Sequence, residues 1–363
     1  MSLTTLNATI PSSSDQVETL GHEPTDYAQM LLYGLFALIG LPVNISTLIY
    51  MLKRYRHAKS FLLLLHINLN ISDILVLGLY VPGLIGWLVT LEWRGGEYLC
   101  KFMRFVDAFV FAISSNIMVC IALYRLSALR YPLWVNAVGH SRVPRMLILA
   151  WALAVITMLP QMLVWNNVQF NHITQCVTVW TEIINKGHTL SESELRNMKL
   201  YSIQNAIIIF YVPLMILVAC YVLILKDIYK TLNTDTECSS AAYLSEMSSS
   251  KTGGKATVHK KEQESFEKFR RAKVRSLRIT LLLILTYAVT WLPYNLLSWW
   301  MVLHFDSYKA NLDSNYILNS LVVLNSVINP FIYGRCQGIR FLFKCRERLA
   351  VPKTKKICKL FPN

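Results

Sequence analysis

Two acidic residues, Asp73 and Asp107, stand in the central parts of long apolar stretches. An ionisable side chain at membrane depth is costly, so its presence suggests function. Asp73 closes the run Asn68-Leu69-Asn70-Ile71-Ser72-Asp73. Asn44, Ser114, Asn325, Ser326 and Asn329 could share its depth and supply oxygens for a small cation and its waters. Hard cations prefer such ligands. Sodium is the ion this set would suit, and a polar network that merely joins helices is the plainer alternative. No other cofactor is expected.

The stretch holding Asp107 can be measured. Cys100 to Arg125 is 25 residues by the numbering, or about 37 Å at the rise of an α-helix. That spans a bilayer, with Cys100 at one surface and Arg125 at the other. Asp107 lies about 10 Å below Cys100, the depth of a pocket opening at that surface. A carboxylate there favours a cationic ligand group, because attraction strengthens at low dielectric. Arg104, three residues earlier, is the competing partner, since such neighbours meet on a helix.

These residues need a bundle to position them. A transmembrane helix takes about 20 mostly apolar residues. Seven stretches qualify: 28–52, 61–90, 98–130, 143–166, 199–230, 270–304 and 314–335. The chain is 54% hydrophobic and only 16% charged, against about 25% charged in a soluble domain. The expected fold is an all-α membrane protein, a seven-transmembrane helix bundle with a short cytoplasmic amphipathic helix after helix 7. Pro160, Pro213, Pro293 and Pro330 interrupt helices 4 to 7 and permit kinks. Kinked helices beside a buried polar network suit a two-state bundle.

The basic residues fall in alternate connections. Lys53, Arg54, Arg56 and Lys59 follow helix 1; Arg130, Arg142 and Arg145 follow helix 3; Lys268, Arg270, Arg271 and Lys273 precede helix 6. The positive-inside rule makes that side cytoplasmic and the N-terminus extracellular. The net charge of +15 is therefore a membrane-orientation signal, with no nucleic-acid partner expected. Residues 1–27 form an extracellular tail with no signal-peptide pattern, and Asn7 starts a glycosylation sequon there. Residues 28–335 are the bundle. Residues 231–269 read as a flexible, Ser-rich cytoplasmic loop, and 336–363 as the cytoplasmic helix and tail. On this topology Cys100 and Cys176 are the exterior cysteines, which favours a disulfide. Cys345 and Cys358 beside basic residues could carry palmitate or remain free thiols.

Asn44, Leu69 with Asp73, Arg125, Trp151, Pro213 with Tyr221, Trp291-Leu292-Pro293 and Asn329-Pro330-x-x-Tyr333 stand in the helices and order of rhodopsin-like G-protein-coupled receptors. The resemblance covers about 28–350. Within that class the chain resembles the gonadotropin-releasing and adipokinetic hormone receptors, with the vasopressin/oxytocin receptors nearby. Pro160-Gln161, Gln175-Cys176-Val177-Thr178, Trp291-Leu292-Pro293-Tyr294 and Gly334 after Tyr333 carry this. A divergent invertebrate member fits.

The resemblance implies a plasma-membrane receptor, not an enzyme. An extracellular peptide ligand would sit around Trp87, Arg104, Asp107, Trp291 and Tyr294. Arg125, Tyr221, Trp291, Pro293 and Tyr333 would carry activation and coupling to a heterotrimeric G protein of the Gq/calcium type. Arrestin, receptor kinases and membrane lipids are implied further partners.

The chain departs from the pattern at three points. The usual Asp-Arg-Tyr reads Tyr124-Arg125-Leu126, so the acidic neighbour of Arg125 is missing, and Lys273 in helix 6 supplies no acid. Asp107 stands where vertebrate members carry Lys. Leu84 stands where they carry an acid. A biogenic amine receptor using Asp107 is the alternative, weakened by Asn205, Ala206 and Ile209 in helix 5. Val323 at the retinal-lysine position disfavours an opsin. A transporter or channel would need more ion-path residues than Asp73 and Asp107.

Overall fold

The computed structural model describes residues 21–170, 173–247, 256–310 and 316–337. Asn7, Cys345, Cys358 and the expected cytoplasmic helix after helix 7 lie outside the described residues. Helix 1 is Pro24–His57, helix 2 Phe61–Thr90 and helix 3 Gly96–Arg130. Helix 4 is Pro132–Met158, helix 5 runs from Glu192 to Met247, helix 6 is Ala256–Leu303 and helix 7 Tyr316–Gln337. Among the described residues six helices are long and apolar enough to cross a membrane, and helix 7 adds the shorter apolar stretch Leu318–Gly334. Helix 3 packs against helices 2, 4 and 5, and helix 7 against helices 1, 2 and 6. Leu38, Ile148, Ile156, Met215 and Val289 point outward, as lipid-facing side chains must.

Local chemistry explains the helix starts. Pro24 opens helix 1 behind a capping box, in which the Glu23 backbone N–H donates to Asp26 Oδ2 at 3.1 Å. Helix 5 starts the same way, with the Ser191 N–H donating to Glu194 Oε2 at 2.8 Å. Arg54, Arg56 and His57 fill the last turn of helix 1, where cations complement the helix dipole.

Three differences from the sequence expectation have physical causes. Helix 4 stops at Met158 rather than 166, because Pro160 cannot continue the ladder. The chain then makes the short helix Gln161–Val164 and an antiparallel hairpin, β1 Trp165–Phe170 and β2 Ile173–Thr178. The backbone is helical through Met247 and again from Ala256, where a flexible loop is expected over 231–269. Between Pro213 and Gly253 the sequence has no proline or glycine, so nothing breaks helix 5 as it leaves the membrane.

Prolines also shape the middle of the bundle. Helices 2 and 5 each contain one π-helical turn, Val76–Tyr80 before Pro82 and Ile207–Tyr211 before Pro213. Pro213 cannot donate to the Ile209 carbonyl, and Tyr287 of helix 6 donates its hydroxyl there instead, at 2.5 Å. Pro330 likewise cannot serve the Ser326 carbonyl, which accepts from Asn44 Nδ2 at 3.1 Å. Each lost backbone bond thus becomes a tie between helices. Gly40 lets helix 1 approach closely: a Cβ there would meet Leu77 Cδ1 at 2.7 Å.

Candidate functional site

The hairpin forms a lid fixed on two sides. Cys100 at the top of helix 3 is bonded to Cys176 in β2, with Cα atoms 5.6 Å apart. Asn167 opposite Cys176 sets the hairpin register. Gln175 Nε2 donates to the Leu91 carbonyl at 2.6 Å, and Trp87 Nε1 donates to Gln175 Oε1 at 3.1 Å. The Trp93 N–H donates to the Thr174 carbonyl at 2.7 Å. Leu91 reaches these partners from a left-handed turn, φ +56°, a cost for a residue with a branched side chain. Trp87, Trp93 and Trp165 pack around the disulfide.

Below the lid, a terminal guanidinium nitrogen of Arg104 lies 2.9 Å from Asp107 Oδ2. Both side chains are about 95% buried, at 5% and 6% exposure. Trp87 and Trp165 flank the guanidinium, with ring centres 4.7 and 5.6 Å from its carbon, close enough for cation–π attraction. Arg104 is therefore the carboxylate's partner. The contact is close but poorly aligned: Asp107 Oδ2 and Arg104 Nε have no hydrogen-bond partner.

A narrow pocket opens beside the pair. Arg104, Asp107, Trp291 and Tyr294 line it, together with Gln161, Asn205, Phe210 and Asn295. Trp87 is not on its wall; it backs Arg104 from behind. Sequence reasoning missed the amide side of the cavity as binding chemistry. Gln161 Nε2 donates to Asn205 Oδ1 at 3.0 Å, and the Tyr201 hydroxyl donates to Gln161 Oε1. Asn295 is fully buried on helix 6 with Oδ1 unpartnered.

Trp291 forms the cavity floor and an aromatic hub. Its ring lies 5.4 Å from Phe111, 5.8 Å from Tyr287 and 6.1 Å from Tyr294. Movement of Trp291 must repack helices 3, 5 and 6 together, because interiors are close-packed. Tyr287 connects this hub to Ser115 at 3.1 Å and to the Ile209 carbonyl.

The polar core lies deeper. Asn329 Nδ2 donates to both Asp73 oxygens, at 3.0 and 3.3 Å. Ser326 and Tyr333 are buried beside it. Asn70 Nδ2 joins Asn44 Oδ1 at 2.6 Å to the Tyr333 hydroxyl at 2.8 Å. Asn70 was the missed member, although its place three residues before Asp73 was a signal. Ser114 and Asn325 are buried but are not among the partners of Asp73; Ser114 Oγ, Asn325 Oδ1 and Asn329 Oδ1 are unpartnered. A buried carboxylate with unpartnered oxygens nearby fits a hard cation.

Towards the basic end, His66 stacks on Tyr333 with ring centres 5.5 Å apart and feels the charge of Arg125. Arg125, near the C-terminal end of helix 3, and Tyr221 on helix 5 are half-buried. Arg130 makes a two-pronged contact with Asp227 of helix 5, at 2.6 and 3.2 Å. The side chain of Lys273 lies outside the described set.

A charged and amide-lined pocket, an aromatic floor, a polar core and an inner arginine thus stack along one bundle. The model of the rhodopsin-family seven-transmembrane receptors matches residues 44–333. The chain belongs to that family. It is 28% identical to the G-protein coupled receptor daf-38 of Caenorhabditis elegans, over 91% of this chain and 95% of that one. It is 29% identical to a gonadotropin-releasing hormone receptor of Octopus vulgaris, over 77% of this chain and 64% of that one. The vasopressin V1b receptor of Mus musculus is 24% identical, over 80% of this chain and 68% of that one. These relatives are signalling receptors, so the chain is a multi-pass membrane receptor of the cell surface and not an enzyme.

Proposed function

We propose that this receptor takes an extracellular peptide under the hairpin and activates a heterotrimeric G protein, with its N-terminus outside and its C-terminus in the cytoplasm. The unpartnered atoms around the cavity carry the reading. Arg104 Nε is a buried donor and Asn295 Oδ1 a buried acceptor, both without a hydrogen-bond partner. Leaving such groups unmet is costly, and an amide presents an acceptor and a donor side by side. Among the described residues, Arg104 and Asp107 are the only charged side chains lining the cavity, and their charges offset each other. Relatives named as gonadotropin-releasing hormone, vasopressin and mesotocin receptors support the peptide class. An amine ligand is disfavoured, because Arg104 already compensates the carboxylate an ammonium would use.

Ligand contacts that differ between two packings of the Trp291 hub would shift the bundle between them. The inner ends of helices 5 and 6 would then part around Arg125 and Tyr221. A sodium ion held by Asp73 and the oxygens of Ser114, Asn325, Ser326 and Asn329 would favour one packing. Gq with calcium release is the proposed pathway, with arrestin and receptor kinases acting on the engaged receptor.

The test is a panel of neuropeptides and biogenic amines, read by calcium and cyclic AMP in transfected cells. A peptide response that Asn295→Ala weakens about fivefold or more supports the reading. An amine response without any peptide response overturns it.

A further inference from the structure

We infer that Arg130 and Asp227 form a positioning pair that holds the inner ends of helices 3 and 5 together and restrains the receptor's signalling state. This rests on the proposed coupling to a G protein. In the rhodopsin-like pattern an acid beside the helix 3 arginine supplies such restraint; here that place holds Tyr124. Arg130 lies five residues beyond Arg125, about 140° around the helix axis, and so addresses a different neighbour. It closes the last turn of helix 3, where a cation is also favoured by the helix dipole.

The geometry is that of a clamp. Arg130 Nε lies 2.6 Å from Asp227 Oδ2, and a terminal nitrogen lies 3.2 Å from Oδ1. A two-pronged guanidinium–carboxylate contact fixes direction as well as distance, which an ammonium cannot do. Both side chains keep about a third of their surface exposed, 35% and 30%. A pair with that exposure is weak enough to open during activation. By contrast, the buried pair at Asp107 sits within helix 3 and can restrain no second helix. If helix 5 swings away from helix 3 when a transducer docks, the clamp must break first.

The test uses the full-length receptor in detergent or nanodiscs. Spin labels at the inner ends of helices 3 and 5 report their separation, and nucleotide exchange by a panel of purified G proteins reports coupling. Asp227→Asn and Arg130→Gln should each increase the wide-separation population and ligand-free exchange about two- to fivefold. Arg130→Lys, which keeps charge and loses the fork, should fall between. Exchanging the charges, Arg130→Asp with Asp227→Arg, should return both readouts toward the original. Unchanged separation in the single variants, or no recovery in the exchanged pair, overturns the proposal. Changed separation with no exchange by any G protein leaves the clamp standing and sinks the coupling reading instead.

Discussion

The two ends of helix 3, the outer and inner ends on the proposed orientation, each carry an arginine–aspartate pair, built for opposite purposes. Arg104–Asp107 joins neighbours on one helix, is almost wholly buried and is walled by two tryptophans. Arg130–Asp227 joins two helices and is partly exposed. In the first, low dielectric makes each charge depend on the other, so the pair sets the chemistry of a pocket. In the second, water and salt screen the charges, so the pair can open at small cost. A buried pair fixes a site, whereas a half-exposed pair between elements can serve as a switch.

Breaking one partner of the outer pair should have the largest effect. Arg104→Ala should destabilise the receptor by about 3–5 kcal/mol, because it strands a buried carboxylate. Replacing both partners, Arg104→Met with Asp107→Leu, should recover most of that loss. Thermal melting of the solubilised receptor measures both; a neutral single variant would remove Arg104 as the partner of Asp107.

The lid over that pair comes next. Cys100→Ala and Cys176→Ala should each cost about 2–5 kcal/mol, and the double variant should be little worse, since one bond is lost in every case. Additive losses in surface expression or melting would argue against a single shared bond.

Between the two ends, Tyr287→Phe should cost about 1–3 kcal/mol by stranding the Ile209 carbonyl at the helix 5 kink. A loss no greater than that of Tyr229→Phe, on the exposed face of helix 5, would mean the carbonyl finds another donor.

Two smaller effects sharpen the contrast. Replacing choline with sodium should raise the melting temperature by a few degrees, and Asp73→Asn should abolish that rise. No sodium response in the original receptor removes the ion from the polar core. Raising ionic strength from about 0.1 to 0.5 M should shrink the effect of Asp227→Asn and leave that of Arg104→Ala unchanged. Equal screening of both pairs would erase the distinction between them.

Much of this arrangement was legible in the sequence. Hydropathy placed the helices, and the rise of a helix put Cys100 and Arg125 toward opposite ends of helix 3 with Asp107 nearer Cys100. The Arg104–Asp107 contact was visible as a three-residue spacing. Its walls were not: Trp87 and Trp165 come from helix 2 and the hairpin, and no local pattern says which faces will meet. Asn70 stood in the run that ends at Asp73 with no role assigned, yet it joins Asn44 to Tyr333. The Gln161–Asn205 bond gave no sign at a separation of 44 residues.

The sequence by itself determined what each segment must do alone: cross a membrane, start at a cap, kink at a proline, or hold a costly charge at a given depth. These follow from interactions within a turn or two and from transfer out of water. Only the tertiary structure decided which groups answer one another. The Ile209 carbonyl took Tyr287 and the Ser326 carbonyl took Asn44. Arg130 found Asp227, 97 positions away. Such pairings depend on helix rotation and register, set by close packing of the whole bundle rather than by any one segment.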